Sequence, residues 1–408
     1  MTNFDRYKYL KGLIKFEYKD ISLQQIIAFD LIVSTYFGSG LKIKHLVFFF
    51  LRYKLPSNIN SFKGTLYTIG DYSARKDYYE IWDYVGDIIK PDLKIDFHNI
   101  NKVLSFRLIN IFRSLNALRI IYKEVSIKEF IYLWAKLTFY INIIDNIFNK
   151  NLNYSSYIGF STVHPLEAIF TLYFKLRGVP TYSLQHGLYY IFKNPIPIDS
   201  LAYENICSDY HFCWGQYTKD EFISYGINPD RLFVAGYPRK IDRGFPRQVC
   251  SLNKCVVLLS RKMFNSSNLK VLEILKEVTS KINFDVYLKL HPTLNHEEYV
   301  NLANHFNFHI VDHDVTISEL FKSEKYDFSI SVNTGAYYES YIYYTPCFRF
   351  ITDSFDLSID VDDDIFCNDS ELLIQLKKLV LTDSITYWMK VNESLKYIMG
   401  IGIKRYVV

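Results

Sequence analysis

The sequence has little of what would place it in several large classes. No C-x-x-C pair occurs among Cys207, Cys213, Cys250, Cys255, Cys347 and Cys367, and none of them groups with His at metal-ligand spacing. A zinc ribbon and a C-x-x-C redox centre are therefore without support, and these cysteines read as reduced core residues. No G-x-G-x-x-G, Walker loop or nucleophile elbow is present, which leaves dinucleotide, ATP and serine-hydrolase chemistry without local support. His296, His305, His309 and His313 do not form the paired H-E-x-x-H of a zinc site. The most apolar stretch, Phe130 to Phe148, is broken by Lys136 and Asp145 and falls short of the roughly 20 apolar residues that a membrane span requires. The first residues, MTNFDRYKYLKGLIKFEYKD, lack the apolar region and small-residue cleavage site of a signal peptide, so a cytoplasmic location is expected, peripheral to the inner face of the cell membrane at most. Tryptophan is scarce (4) beside Tyr (35) and Phe (32), a bias that an AT-rich gene produces as readily as any chemistry.

Strong charge of one sign is also missing. A formal net charge of +4 is too small for a nucleic-acid binder of this length. The amino end is locally basic, with Arg6, Lys8, Lys11, Lys15, Lys19, Lys42, Lys44, Arg52 and Lys54 against Asp5, Glu17, Asp20 and Asp30. Interleaved Tyr, Phe and Ile leave two readings open there: contact with a membrane surface, or a solvated helix face beside a core stripe.

What is present is a long chain of ordinary globular composition. With 408 residues, 49% hydrophobic and 22% charged, it exceeds what one core organises, and two similar α/β domains are expected. Residues 1 to about 60 are of mixed helical pattern and end in the turn signal Pro56-Ser57-Asn58, a candidate boundary. A short β-rich run, Thr65 to Ile69, is followed by Gly70-Asp71 and a helix from Arg75 to Val85. Two long amphipathic helices are expected around 101 to 122 and 126 to 148. Tyr157 to Phe160 as strand, Pro165 to Arg177 as helix and Thr181 to Leu184 as strand form a βαβ unit, which implies a parallel sheet with ligand loops at the carboxyl ends of its strands. Ser208 to Trp214, Thr218 to Tyr225 and Leu232 to Val234 continue as strand, helix and strand. The polar segment from Arg243 to Asn253, with Pro246, reads as a linker.

The second half repeats the theme, with strands at Val256 to Leu259, Phe284 to Leu290, Phe308 to Val311, Phe328 to Val332 and Pro346 to Ile351. Helices are expected at Leu269 to Lys281, Ile317 to Ser323 and from Asn333-Thr334-Gly335 to Tyr343. The expected organisation is residues 1–245 and 246–408 as two Rossmann-like doubly wound domains facing across a cleft, the last helix being a candidate to cross back.

Four loops place polar groups at the carboxyl ends of strands. In Gln185-His186-Gly187, His186 has the ring chemistry of a general base toward an acceptor hydroxyl, and Gly187 allows close approach; a lone His before Gly is also commonplace. In Lys289-Leu290-His291-Pro292, alternation puts Lys289 and His291 on one face, suited to a leaving phosphate, with Pro292 fixing the exit; the alternative is a His packed under a loop. In Ser331-Val332-Asn333-Thr334-Gly335, a strand passes through small polar residues into a helix start, an anion site unless Thr334 is simply a cap. Glu339 follows one turn on, able to accept bonds from ribose or sugar hydroxyls, or facing solvent. In Gly236-Tyr237-Pro238-Arg239, Arg239 is either a bidentate phosphate ligand or a surface arginine, and Ser260-Arg261-Lys262 is a further cationic loop. The acidic group Asp360, Asp362, Asp363 and Asp364 has neither EF-hand spacing nor flanking Gly and reads as a solvated loop.

The runs PTYSLQHG, FCWGQYTKDEFISYGINPDRLFVAGYPRKID, VYLKLHPT and SVNTGAYYESYIYYTP, in this order, resemble the GT-B glycosyltransferases of capsule and lipopolysaccharide assembly. In pattern they are most similar to the capsule Kdo transferases and the bacterial sialyltransferases with an HP motif. The teichoic-acid glycerophosphotransferases are similar in having an HG and an HP loop. The resemblance covers residues 150 to 350. It implies a GT-B fold and a CMP- or CDP-linked donor held by the second domain, with His291, Pro292, Ser331, Thr334 and Glu339 on nucleotide and phosphate. Lys289, Asn333, Gly335, Arg239, Tyr237, Ser260 and Arg261 are assigned to the donor as well, Gln185 and Gly187 to the acceptor. His186 lies by the transferring centre on this reading, with Asp71 and Glu167 as reserve catalytic residues, because the D/E-D/E-G motif of the sialyltransferases is missing from the first half. The expected reaction needs no bound metal and no cofactor beyond the nucleotide-sugar donor, and its acceptor is a growing O-antigen or capsule glycan, lipid-linked. A polyol-phosphate transferase and a non-catalytic assembly scaffold are the alternatives.

Overall fold

The computed structural model describes residues 1–38, 41–73, 75–188, 196, 198–246, 248–351 and 361–407. The chain divides into two compact units: Met1–Trp214, Thr218–Arg239 and Ile403–Val408 form unit 1, and Gly215–Tyr217 with Lys240–Gly402 form unit 2.

Unit 1 is built on a six-stranded sheet of β1 (Thr65–Ile69), β2 (Leu93–Asp96), β3 (Ser156–Gly159), β4 (Thr181–Leu184), β5 (Tyr210–Cys213) and β6 (Leu232–Val234). Its spatial order is β2-β1-β3-β4-β5-β6, and every pairing is parallel. Parallel neighbours require crossovers, and helices supply them. Helix Lys76–Ile89 stops where Lys90 turns left-handed (φ 53°) and its N–H closes on the Gly86 carbonyl; Pro91 then bars continuation. Helix Pro165–Lys175 starts on a proline whose fixed φ suits a first turn.

The connection from β2 to β3 departs from the expected pair of long helices. Residues 101–107 alternate, with Val103 and Ser105 turned inward and Lys102, Leu104 and Phe106 outward, and Lys102–Leu104 pairs antiparallel with Leu51–Tyr53. Only then do helices Leu108–Leu118 and Ile127–Lys150 follow, the second capped by the Ser126 hydroxyl, which accepts from the Glu129 N–H at 3.2 Å. The Pro56-Ser57-Asn58 turn marks no boundary. Leu55 and Ile59 on either side of it are buried in one core with Leu31, Leu66, Ile95 and Ile144.

Unit 2 carries β7 (Lys254–Leu258), β8 (Asp285–Lys289), β9 (His309–Ile310), β10 (Phe328–Val332), β11 (Cys347–Phe350) and β12 (Ile365–Phe366) in the order β9-β8-β7-β10-β11-β12, all parallel. This is the Rossmann order. Val257, Leu272, Leu288, Ile330 and Phe348 form its core. Helix Ile317–Ser323 begins in a full capping box, Thr316 Oγ1 accepting from the Glu319 N–H (3.2 Å) and the Glu319 carboxylate from the Thr316 N–H (2.8 Å).

The acidic group before β12 is not one solvated loop. Asp364 is buried and accepts hydrogen bonds from Tyr337 and Tyr341, Asp362 pairs with Lys390, and Asp363 lies 3.3 Å from Lys378. Burial pushes the Asp364 carboxyl up to about 6 against the pull of those two hydroxyls and of Arg349. Asp360 lies outside the described residues.

The last segment belongs to unit 1. The Arg405 N–H bonds to the Ala235 carbonyl at 2.9 Å, and the Tyr406 hydroxyl to the Gly236 carbonyl at 2.5 Å. Gly236 sits at φ 101°, and a Cβ there would lie 1.9 Å from the Ile403 carbonyl oxygen. Gly187 is not among the glycines at positive φ, and a Cβ there would meet nothing within 4 Å among the described residues. Gly236→Ala is therefore expected to destabilise the protein by about 2–4 kcal/mol in denaturant melts, whereas Gly187→Ala leaves the midpoint unchanged.

Candidate functional site

In unit 1 the strand order reverses direction between β1 and β3, which opens a crevice at their carboxyl ends. Gly70-Asp71 follows β1, Ser161 to His164 follows β3, and Gln185 to Gly187 follows the neighbouring β4. Glu167, in the first turn of helix Pro165–Lys175, is fully buried under this crevice. Its Oε1 accepts the Ser161 N–H at 3.0 Å; Oε2 lies against Gly70, where a Cβ would come within 2.7 Å, and makes no hydrogen bond of good geometry. Burial pushes its carboxyl up to about 8, opposed by the amides of Ser161 and Gly70 and reinforced by the nearby Asp71 charge. Glu167 is thus protonated at neutral pH. Asp71 itself is bound by Lys102 at 3.0 Å and by the Tyr53 hydroxyl.

The imidazole of His186 stands edge-on to Tyr78 (5.4 Å between centroids), beside Phe160 (5.6 Å) and His164 (6.3 Å). His164 packs on Phe29 and Tyr72, and its Nδ1 is buried with no hydrogen bond among the described residues. Burial first, then His186, holds it down to about 3, so it is neutral. Behind Tyr72, whose hydroxyl accepts from Lys136 Nζ at 2.5 Å, lies the buried Asp30–Lys136 pair (3.5 Å), and Asp30 also accepts from Tyr132 and Tyr140. Gln185 is committed to the protein: Nε2 donates to the Gly187 carbonyl (2.8 Å) and Thr218 (3.0 Å), and Oε1 accepts from the Trp214 N–H (2.6 Å). It fixes the shape of the loop that carries His186.

In unit 2 the reversal falls between β7 and β10. Ser260 is held there by reciprocal bonds with the buried Asn268 amide, each 3.0 Å, and its hydroxyl donates to the Asn333 carbonyl at 2.9 Å. Asn333 adopts the left-handed region (φ 45°), which Asn tolerates better than most side chains. Thr334 Oγ1 lies 3.4 Å from the Ala336 N–H, a long cap contact, and Gly335 occupies the cap position of helix Ala336–Ile342, on which Glu339 is half-buried. The loop after β8 is tied to the loop after β7. His291 Nδ1 accepts from the Thr293 N–H at 3.2 Å, which puts the proton of the neutral ring on Nε2, and Thr293 Oγ1 accepts from the Lys262 N–H at 3.1 Å. Pro292 is exposed and Arg261 half-buried.

Several predicted site residues have structural occupations. Lys289 donates to the carbonyls of Asp312 (2.9 Å) and His313 (3.0 Å), and burial lowers its pKa. Ser331 is fully enclosed within β10. Arg239 lies 4.0 Å from Asp77 and 3.9 Å from Glu80, on the helix of its own unit, and Tyr237 is buried edge-on against Trp214. Missed in the sequence were His164, Tyr72 and Tyr78. His164-Pro165 after β3 repeats the His291-Pro292 pattern after β8, a signal the sequence did contain; the two tyrosines carry no local signal. Among the described residues no group of three or more His, Cys, Asp or Glu is placed to hold a metal ion.

Two doubly wound α/β units, each gathering polar residues where its strand order reverses, make a two-domain α/β fold that is GT-B-like. No family model and no curated protein matches the sequence. Among solved structures the chain is similar to the UDP-N-acetylglucosamine 2-epimerase from Rickettsia bellii, with 12% identity over 83% of this chain and 96% of that one and a TM-score of 0.49. It is also similar to a wall teichoic acid polymerase (14% identity, 99% of this chain, 94% of that one, TM-score 0.46). A lipopolysaccharide outer core galactosyltransferase gives 10% identity, 82% and 99% coverage, and a TM-score of 0.46.

The Glu167 carboxyl gives a pH test of the unit 1 crevice. Its pKa is raised on folding from an ordinary 4.5 to about 8, so the folded state holds the proton more tightly. That contribution to stability is complete below the unfolded value and is lost as pH rises through about 8. Between about pH 5 and about pH 9 the wild type is expected to lose on the order of 2–4 kcal/mol more stability than Glu167→Gln, read from urea melts at each pH.

Proposed function

We propose that the chain is a metal-independent glycosyltransferase that moves a CMP-activated nonulosonic acid or Kdo onto a lipid-linked O-antigen or capsule glycan. The observation that carries the reading is the Rossmann-order sheet of unit 2, whose strand reversal is built from Ser260 and Asn333 and flanked by the His291 ring. A nucleotide phosphate fits such a reversal because backbone amides and Gly-containing turns approach it closely. Nε2–H of His291 is the donor toward the leaving phosphate, and Arg261 and Lys262 supply positive charge where a metal would otherwise be needed.

Proton chemistry belongs to unit 1. His186 takes the proton of the acceptor hydroxyl, and its aromatic neighbours Tyr78 and Phe160 hold the ring in place. Glu167 acts on the crevice through the Ser161 and Gly70 backbone, since it is enclosed and uncharged. The CMP assignment rests on the resemblance of the four sequence runs to the capsule Kdo transferases and to the sialyltransferases with an HP motif.

Two measurements test this. In a thermal-shift panel of CMP, CDP, UDP, GDP and their sugar conjugates, CMP or a CMP-sugar is expected to raise the melting temperature by about 1–3 °C at roughly 100 times its Kd, and His291→Ala to abolish the shift. A response to CDP-polyols alone would assign a polyol-phosphate transferase instead, and no response to any nucleotide would favour a scaffold. In a turnover assay with the nucleotide-sugar so found, His186→Ala is expected to lower kcat by about 100-fold or more, and near-normal turnover would remove His186 as the base.

A further inference from the structure

Helix Leu108–Leu118 buries polar side chains beside Ala117 and Leu118 and leaves large apolar ones outside. Its buried positions include Asn110 and Ser114, both without exposed surface. The Asn110 amide donates to Asn142 and Asp145 at 2.9 Å each, and Ser114 shares a 2.6 Å hydrogen bond with Thr138. Of its outward positions Leu108, Ile109 and Phe112 are apolar, Ile109 56% and Phe112 63% exposed, and Asn116 alone is polar. Leu104 (79%) and Phe106 (66%) lead into the helix, and Ile120, Tyr122 and Ile127 continue beyond it, all exposed. The surface extends to the 47–51 run, because the Phe106 ring stacks on Phe50 at 5.3 Å and Leu104 pairs with Leu51. Such a face leaves in water what an amphipathic helix ordinarily buries, and a contiguous apolar patch of this kind marks an interaction surface.

The charges around it choose the partner. Over residues 102–128 the exposed ionic side chains are Lys102, Arg107, Arg119, Lys123 and Lys128 against the single carboxylate Glu124; Lys102 and Arg107 are held by Asp71 and Asp145, so the cations turned to solvent along this edge are Arg119, Lys123 and Lys128. Protein interfaces are depleted in lysine, whereas an apolar strip edged by Lys and Arg is the form that lies in the headgroup region of an anionic bilayer. The amino-terminal cations named from sequence are partly withdrawn: Arg6 pairs with Glu129, Lys8 with Glu204 and Lys19 with Asp145.

We infer that this face of unit 1, centred on Ile109 and Phe112, docks on a membrane rich in anionic phospholipid, its apolar side chains entering the headgroup boundary and the flanking cations meeting phosphate. The inference does not depend on the transferase reading. It is tested by sedimenting the full chain with vesicles of phosphatidylglycerol and phosphatidylcholine, and with pure phosphatidylcholine vesicles. Salt-sensitive binding to the anionic vesicles alone is expected. Ile109→Ser with Phe112→Ser should lower partitioning by about tenfold or more, as should Arg119→Glu with Lys123→Glu, whose exposed positions leave folding unaffected. Failure of the wild type to bind anionic vesicles, or equal binding by both variants, would overturn the assignment. So would a self-association seen by light scattering that the Ser variant abolishes while vesicle binding persists, which would give the face to a second copy of the chain.

Discussion

Everything positioned for chemistry in this protein depends on the parallel pairing of its two sheets. A strand can lie parallel to its predecessor only if the chain crosses back over a face of the sheet, so helices cover both faces and the connecting turns collect at one edge. Where the order of crossing reverses, between β1 and β3 in one unit and between β7 and β10 in the other, two turns diverge and leave a crevice. Asp71, His164 and His186 stand at the first, Ser260 and Asn333 at the second.

The two crevices are held differently. That of unit 1 is supported by neutral groups in low dielectric: a protonated Glu167 bonded to the Ser161 amide and an uncharged His164 against Tyr72. Asp71, already paired with Lys102, and the Asp30–Lys136 pair ringed by tyrosines carry charge there. Burying a lone carboxylate costs more than protonating it, which is why Glu167 keeps its proton. The crevice of unit 2 is framed by backbone and amide bonds, Ser260 to Asn268 and Asn333, His291 to Thr293, an arrangement that fixes donors without adding net charge.

The insertion between β2 and β3 places polar contacts inside and apolar side chains outside. Asn110, Ser114, Thr138, Asn142 and Asp145 satisfy one another within the packed helices, with Arg107 and Lys19 closing on Asp145. That network orients helix Leu108–Leu118, so the direction in which Phe112 points follows from hydrogen bonding behind it.

The alternation of strands and helices is legible in the sequence alone. Runs such as Phe328 to Val332 and Ile317 to Ser323 coincide with the observed elements because β-branched clustering and a capping box are local properties. The sequence also located the loops bearing His186, Ser260, His291 and Asn333, since a strand's carboxyl end is visible as the limit of an apolar run. It misread residues 101–107 as helix, because their outward Leu104 and Phe106 hide the period of two, and it set Asp364 in solvent although two distant tyrosines bury it. Strand order, and with it the meeting of Asp71, His164, Glu167 and His186, was decided only by tertiary structure. So was the occupation of Lys289 and Arg239 by carbonyls and carboxylates of their own units. These depend on which side of the sheet each crossover takes and on burial by residues far along the chain, and neither is written in any local stretch of sequence.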